Sequence, residues 1–170
     1  MARISIQQAG GANRVAFLDM IAASEIDAWT RSNSDDGYNV LVGAHGPLPS
    51  RGVSAALLTF ASYATHPNVF NAAMNSTAAG RYQFLSRYWS AYQAQLNLPD
   101  FGPISQDLWA LQLIRECKAL PLIDAGQFAS AVFACSSRWA SLPGNSYGQR
   151  QNDLGVLTTA YQQAGGLVAV

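Results

Sequence analysis

A glutamate closes an almost wholly apolar segment: in FLDMIAASE, residues 17–25, Glu25 follows Ala22, Leu18 and Val15 at helical intervals. Those intervals set all four on one face of an α-helix, the face that turns toward the core. A carboxyl group in that position is costly unless it is paired, hydrogen-bonded or protonated. Desolvation would raise its pKa toward ~6, where one group can both give and take a proton near neutral pH. General acid–base chemistry is one reading of Glu25. The other is a structural glutamate bonded to backbone amides or to an arginine.

Two further stretches could bind a neutral polyhydroxyl ligand. In NSTAAGRYQFLSRYW, residues 75–89, small residues and Gly80 precede Arg81, Tyr82 and Gln83. Small residues let a ligand approach the backbone, the free amides of a helix's first turn donate hydrogen bonds, and Tyr and Gln suit a sugar ring. The alternative is a helix capped by Ser76 or Thr77 with Tyr82 in the core. SLPGNSYGQ, residues 141–149, is a Pro-Gly loop that displays Tyr147 and Gln149 and could equally just turn the chain. His66, in THPN, has no His, Cys or acidic partner at ligand spacing and reads as a loop histidine. No G-x-S-x-G elbow, phosphate loop or dinucleotide fingerprint occurs, and no motif calls for a metal or an organic cofactor.

These residues need elements to position them. Asn13 is placed to cap a helix from Arg14 to Glu25, after a polar leader over residues 1–13. The Asp35-Asp36-Gly37 turn precedes YNVLV, which predicts a short strand or hairpin. Residues 44–52 hold Pro and Gly and should be irregular, with a helical turn over 54–59. The periodicity predicts an aromatic-faced helix over 78–96, a helix from an N-cap at Ser105 to about Cys117, and two more over 124–136 and 150–163. The fold class is therefore α+β, mainly helical, with one small β element.

The chain has 170 residues, the usual size of one domain, so 1–170 is read as a single domain. Ten basic and ten acidic residues cancel, which argues against electrostatic capture of nucleic acid or an anionic membrane. Cys117 and Cys135 form no close-spaced metal motif and are read as reduced thiols. The N-terminus lacks the apolar core of a secretory signal, and no apolar run is long enough to span a membrane. The reading is a monomer made in the cytoplasm.

The segments AFLDMIAASE, GYNVLVG, STAAGRYQFLSRYW, AYQAQLNLPDF, SQDLWALQLIRE, ALPLIDAG and WASLPGNSYGQ resemble, in order, the endolysins of the bacteriophage lambda type. The resemblance runs from Arg14 to Gly166. It implies a lysozyme-like fold with an active-site cleft and lytic transglycosylase activity on peptidoglycan, with Glu25 as the catalytic residue. It also implies sugar contacts from Tyr38, Asn39, Ser76, Thr77, Arg81, Tyr82, Gln83 and Tyr147, and a holin that opens the inner membrane so that the enzyme reaches peptidoglycan in the periplasm. The chain departs from the family pattern at Ile26, where a glycine is usual, at Asn39, where an aspartate follows Gly-Tyr, and in a longer segment over 44–59. A hydrolytic muramidase using Glu25 with Asp35 or Asp36 is the alternative. A wall-binding phage protein without catalysis is a third reading, and retention of a costly Glu25 counts against it.

Overall fold

Ser5 and Gln8 close a capping box at the first helix, α1 (Ile6–Ala9): Ser5 Oγ accepts from the Gln8 amide at 3.1 Å while the Gln8 side chain accepts from the Ser5 amide at 3.2 Å. The computed structural model describes residues 1–148 and 150–169. The polar leader is tied down rather than trailing. Asp107 Oδ2 accepts from the amides of Arg3 and Ile4 at 2.7 and 2.8 Å, and Asp19 Oδ1 accepts from the Ala2 amide at 2.6 Å. Ile4 and Ala9 are buried as a result.

The chain groups into two compact units, Met1–Glu25 with Asp107–Val170, and Ile26–Gln106. In the first, α2 (Ala12–Glu25) packs on α1, α6 (Leu120–Asp124) and α8 (Leu154–Gln163). Its buried side chains include Phe17, Leu18 and Ala22. Phe17, Phe128 and Tyr161 form an aromatic cluster, with Phe128 and Tyr161 stacked at 4.6 Å between centroids. α7 (Phe128–Cys135) packs on α6.

The second unit holds α3 (Ala28–Ser32) and α4 (Trp89–Leu96). α5 (Pro103–Glu116) begins in this unit and continues into the first. Asp27 caps α3 through the Thr30 amide and also accepts from the Gly46 amide at 3.1 Å, fastening the following hairpin to that helix. The hairpin runs over residues 39–60 and is joined by isolated antiparallel bridges, Val40 with Thr59, His45 with Ala56 and Leu48 with Val53. A second bridge set links Leu41 to Ala79 and Ala79 to Phe84.

Several expectations are corrected here. The β element is a set of single bridges, and residues 54–59 lie in its extended arm rather than in a helical turn. Residues 78–85 do not start a helix: Gly80 at φ +79° and Gln83 at φ +50° are left-handed, and the Ala79–Phe84 bridge closes a turn around them. Only Trp89–Leu96 is α-helical, after a 3₁₀ turn at Ser86–Tyr88. Asn13 lies inside α2, where its side chain donates to Ile123 O and accepts from the Leu167 amide. Ser105 lies inside α5; Asp100 does the local capping, accepting from the Gly102 amide and the Ser105 hydroxyl. The helix expected over 124–136 is α7, which starts only at Phe128, after α6 has ended at Asp124, and that expected over 150–163 starts after an Asp153 cap.

Candidate active site

Glu25 is the last residue of α2, at the point where the chain passes from the first unit to the second. Leu18 and Ala22 of its helical stripe are fully buried, and Val15 and Glu25 are half-buried. Burial of the carboxyl group raises its pKa to about 7, opposed by one hydrogen bond from Ser141. That bond is 2.5 Å from Ser141 Oγ to Glu25 Oε1. Ser141 is in turn 2.6 Å from Ser24 Oγ, and Asn152 Nδ2 lies 3.0 Å from Ser24 Oγ. With a pKa near 7, the group populates both its acid and its carboxylate form at neutral pH. Ser24, Ser141 and Asn152 were missed from the sequence. Serine and asparagine carry no periodic signal, and only the fold brings residue 141 to residue 25.

Asp35 and Asp36 are both engaged within the second unit. The Tyr63 hydroxyl donates to Asp35 Oδ2 at 2.7 Å, and Arg81 Nη1 lies 2.6 Å from Asp36 Oδ2. Arg81 also donates to Asp36 O, and its guanidinium lies over the Tyr38 ring at 5.1 Å. Gln106, fully buried, locks this corner: it accepts from the Arg81 amide and donates to Tyr38 O and Phe101 O.

The predicted sugar-contact residues divide by exposure. In the free protein Tyr38 and Tyr82 are completely covered and Arg81 is 1% exposed. Asn39, Ser76, Thr77 and Gln83 are half-buried and Tyr147 is exposed. Of these, Asn39 accepts from the Asp35 amide, Ser76 from the Ala78 amide, and Thr77 from the amide and hydroxyl of Ser86. Tyr147 donates to Ser137 O. Gln149 lies outside the described residues. His66 is a loop histidine, as expected, and is buried; its Nε2 donates to Phe84 O and its Nδ1 accepts from the Asn68 amide, while burial holds its pKa down. Both cysteines are free. Among the described residues no group of three or more His, Cys, Asp or Glu is arranged to hold a metal ion.

The endolysin family profile matches residues 15–168. The chain belongs to the endolysin family. It is 45% identical to the endolysin of Escherichia phage lambda over 159 residues, covering 91% of this chain and 92% of that one. The endolysin of Escherichia phage P2 is 44% identical over 165 residues, with 92% and 95% covered. In structure, this endolysin matches bacteriophage lambda lysozyme complexed with a chitohexasaccharide at a TM-score of 0.81 and 42% identity, over 99% of this chain and all of that one. A second lambda lysozyme structure gives a TM-score of 0.75 at 40% identity, over 99% and 100% of the two chains. The fold is lysozyme-like, mainly helical with a small β component, and the protein is a phage endolysin, an enzyme that cleaves peptidoglycan. Among the described residues no helix is long and apolar enough to cross a membrane.

Proposed function

We propose that this endolysin is a lytic transglycosylase that cleaves the β-1,4 bond between N-acetylmuramic acid and N-acetylglucosamine, with Glu25 as the sole acid–base residue. The observation that carries the reading is the Glu25 carboxyl, buried, held by a serine hydroxyl and poised at a pKa of about 7. In its protonated form it gives its proton to the glycosidic oxygen as the bond to C1 breaks and the muramyl ring takes on oxocarbenium character. The carboxylate left behind removes the proton from the C6 hydroxyl, whose oxygen bonds to C1. A 1,6-anhydro ring closes, Glu25 regains its proton, and no water is consumed.

A hydrolase would need a second carboxylate as nucleophile or as base for water. The engagement of Asp36 with Arg81 and of Asp35 with Tyr63 favours structural duties for both. The lambda lysozyme neighbour carries a chitohexasaccharide, which supports binding of a β-1,4-linked amino-sugar strand by this chain as well. On this reading Asn39, Ser76, Thr77, Gln83 and Tyr147, which are half-buried or exposed, meet sugar hydroxyls, and the buried Tyr38, Arg81 and Tyr82 serve structurally. The enzyme works as a monomer, made in the host cytoplasm and admitted to the periplasmic wall by a holin.

Mass spectrometry of muropeptides released from purified Gram-negative sacculi tests the reaction type. Products ending in 1,6-anhydro-muramic acid are expected. Reducing-end products would overturn the transglycosylase reading and make water the acceptor.

A further inference from the structure

We infer that Asn152, Ser24 and Ser141 form a one-way hydrogen-bond relay that ends on Glu25 Oε1 and so assigns the transferable proton to Oε2. The inference rests on the reading of Glu25 as the acid–base residue and deepens it. The three are positioning residues.

The direction of the relay follows from which atoms can donate. Asn152 Nδ2 faces Ser24 O at 3.2 Å and Ser141 O at 3.3 Å as well as Ser24 Oγ at 3.0 Å. Carbonyl oxygens only accept, so the amide edge turned to them must be the NH₂. The Asn152 amide itself donates to Ser141 O at 2.8 Å, which holds the side chain in that pose. Ser24 therefore receives from Asn152 and has its single proton left for Ser141 Oγ, 2.6 Å away. Ser141, receiving from Ser24, spends its own single proton on Glu25 Oε1 at 2.5 Å. Reversal would take from the Ser24 proton the acceptor it has in Ser141, because the Asn152 edge beside it is an NH₂ group. The carboxylate form of Glu25 only accepts, which fixes the order there, and in the protonated form the same order is the one that gives every hydroxyl proton an acceptor and keeps Oε1 an acceptor. Among the described residues Ser141 is the hydrogen-bond partner of this carboxyl, which leaves Oε2 to carry the proton exchanged with substrate.

Among the described residues, no charged side chain is a cause of the Glu25 shift. Its pKa is set by burial and by the Ser141 bond. Of the elements packed on α2, α1 and α8 carry no charged residue, and their titratable group is Tyr161, held up to about 12 mainly by burial. The carboxylate of α6, Asp124, is paired with Arg14 at 2.6 Å. On α2 itself Asp19 accepts from the Ala2 amide, and beyond α7 Arg138 pairs with Glu116.

The test is the titration of the Glu25 side-chain carboxyl carbon by NMR, alongside the pH profile of lytic activity. Ser141→Ala removes the donor that favours the carboxylate, so the titration and the alkaline limb of activity should both move up, by about one pH unit. Ser141→Thr keeps a hydroxyl and should restore both to the wild-type position. Ser24→Ala leaves Ser141 its proton but not its orientation, and should move both in the same direction by a smaller amount. If Ser141→Ala does not fold, Ser24→Ala and Ser141→Thr decide. Unmoved titrations in folded Ser24→Ala and Ser141→Ala proteins would overturn the relay while leaving Glu25 catalytic. Full activity in Glu25→Gln would instead overturn the functional reading, and the titrations would still report on the relay.

Discussion

Arg81 Nη1 lies 2.6 Å from Asp36 Oδ2 and 2.6 Å from the main-chain oxygen of the same residue. A side chain that is almost fully buried spends its charge on fixing a turn. Replacing Asp36 removes its carboxylate from beside that buried charge, so Asp36→Asn should cost about 2–4 kcal/mol of stability. Asp35→Asn should cost less, since Tyr63 can still donate to the amide oxygen. If the transglycosylase mechanism holds, the folded fraction of the double variant keeps most of its lytic rate. Denaturant melts together with initial rates on sacculi check both parts, and a folded but inactive double variant would favour the two-carboxylate mechanism.

The raised pKa of Glu25 also makes stability depend on pH. The folded state holds the proton up to about pH 7, whereas the unfolded chain releases it near its ordinary value of 4.5. Stability from this group is therefore complete below pH 4.5, declines between 4.5 and 7, and is lost above that. The difference amounts to about 3 kcal/mol. Glu25→Gln, which has no charge to bury, should gain on the wild type in melting temperature as pH rises from 5 to 8, while losing nearly all lytic activity. A constant difference in melting temperature across that range would contradict the burial argument.

Gly80 sits at φ +79°, and a Cβ added there would fall 2.3 Å from Gln106 Oε1. That oxygen holds the Arg81 amide, so it cannot move aside freely. Gly80→Ala should cost about 2–5 kcal/mol through strain and lost hydrogen bonding together. Urea unfolding measures it, and a cost under ~1 kcal/mol would show that the Gln106 corner relaxes easily.

Asp107 is wholly buried and accepts from two leader amides. Asp107→Ala leaves those donors unsatisfied, at a cost of about 2–3 kcal/mol. Amide hydrogen exchange at Arg3 and Ile4 should accelerate sharply, and unchanged protection there would mean that other contacts hold the leader.

The α2 helix and the place of Glu25 at its end were legible from the sequence because a long, almost wholly apolar segment with helical spacing reports its own burial. α5 and α8 were recognised for the same reason, with ends displaced where a neighbouring aspartate capped the helix instead of the expected residue. Residues 78–85 misled because Leu85, Tyr88, Trp89 and Tyr92 keep a helical period across a boundary that backbone conformation sets. Gly80 and Gln83 turn left-handed there, and periodicity does not register φ. The bridges over 39–60 have almost no alternation, since each pairs only one or two residues. Least legible of all were the contacts made by polar residues far apart in the chain, Asp107 with the leader and Ser141 with Glu25, which no local pattern announces.

The first unit is discontinuous, built from Met1–Glu25 and Asp107–Val170, while Ile26–Gln106 forms the second without interruption. During synthesis from the N-terminus the second unit is complete in the emerged chain while the helix bearing Glu25 still lacks α6, α7 and α8. Asp107 arrives to fasten the leader, and Ser141 and Asn152 emerge only in the last part of the chain. A nascent or prematurely ended polypeptide therefore carries Glu25 without the serine that holds it. On the mechanism proposed above, the acid–base centre is assembled only at the end of translation.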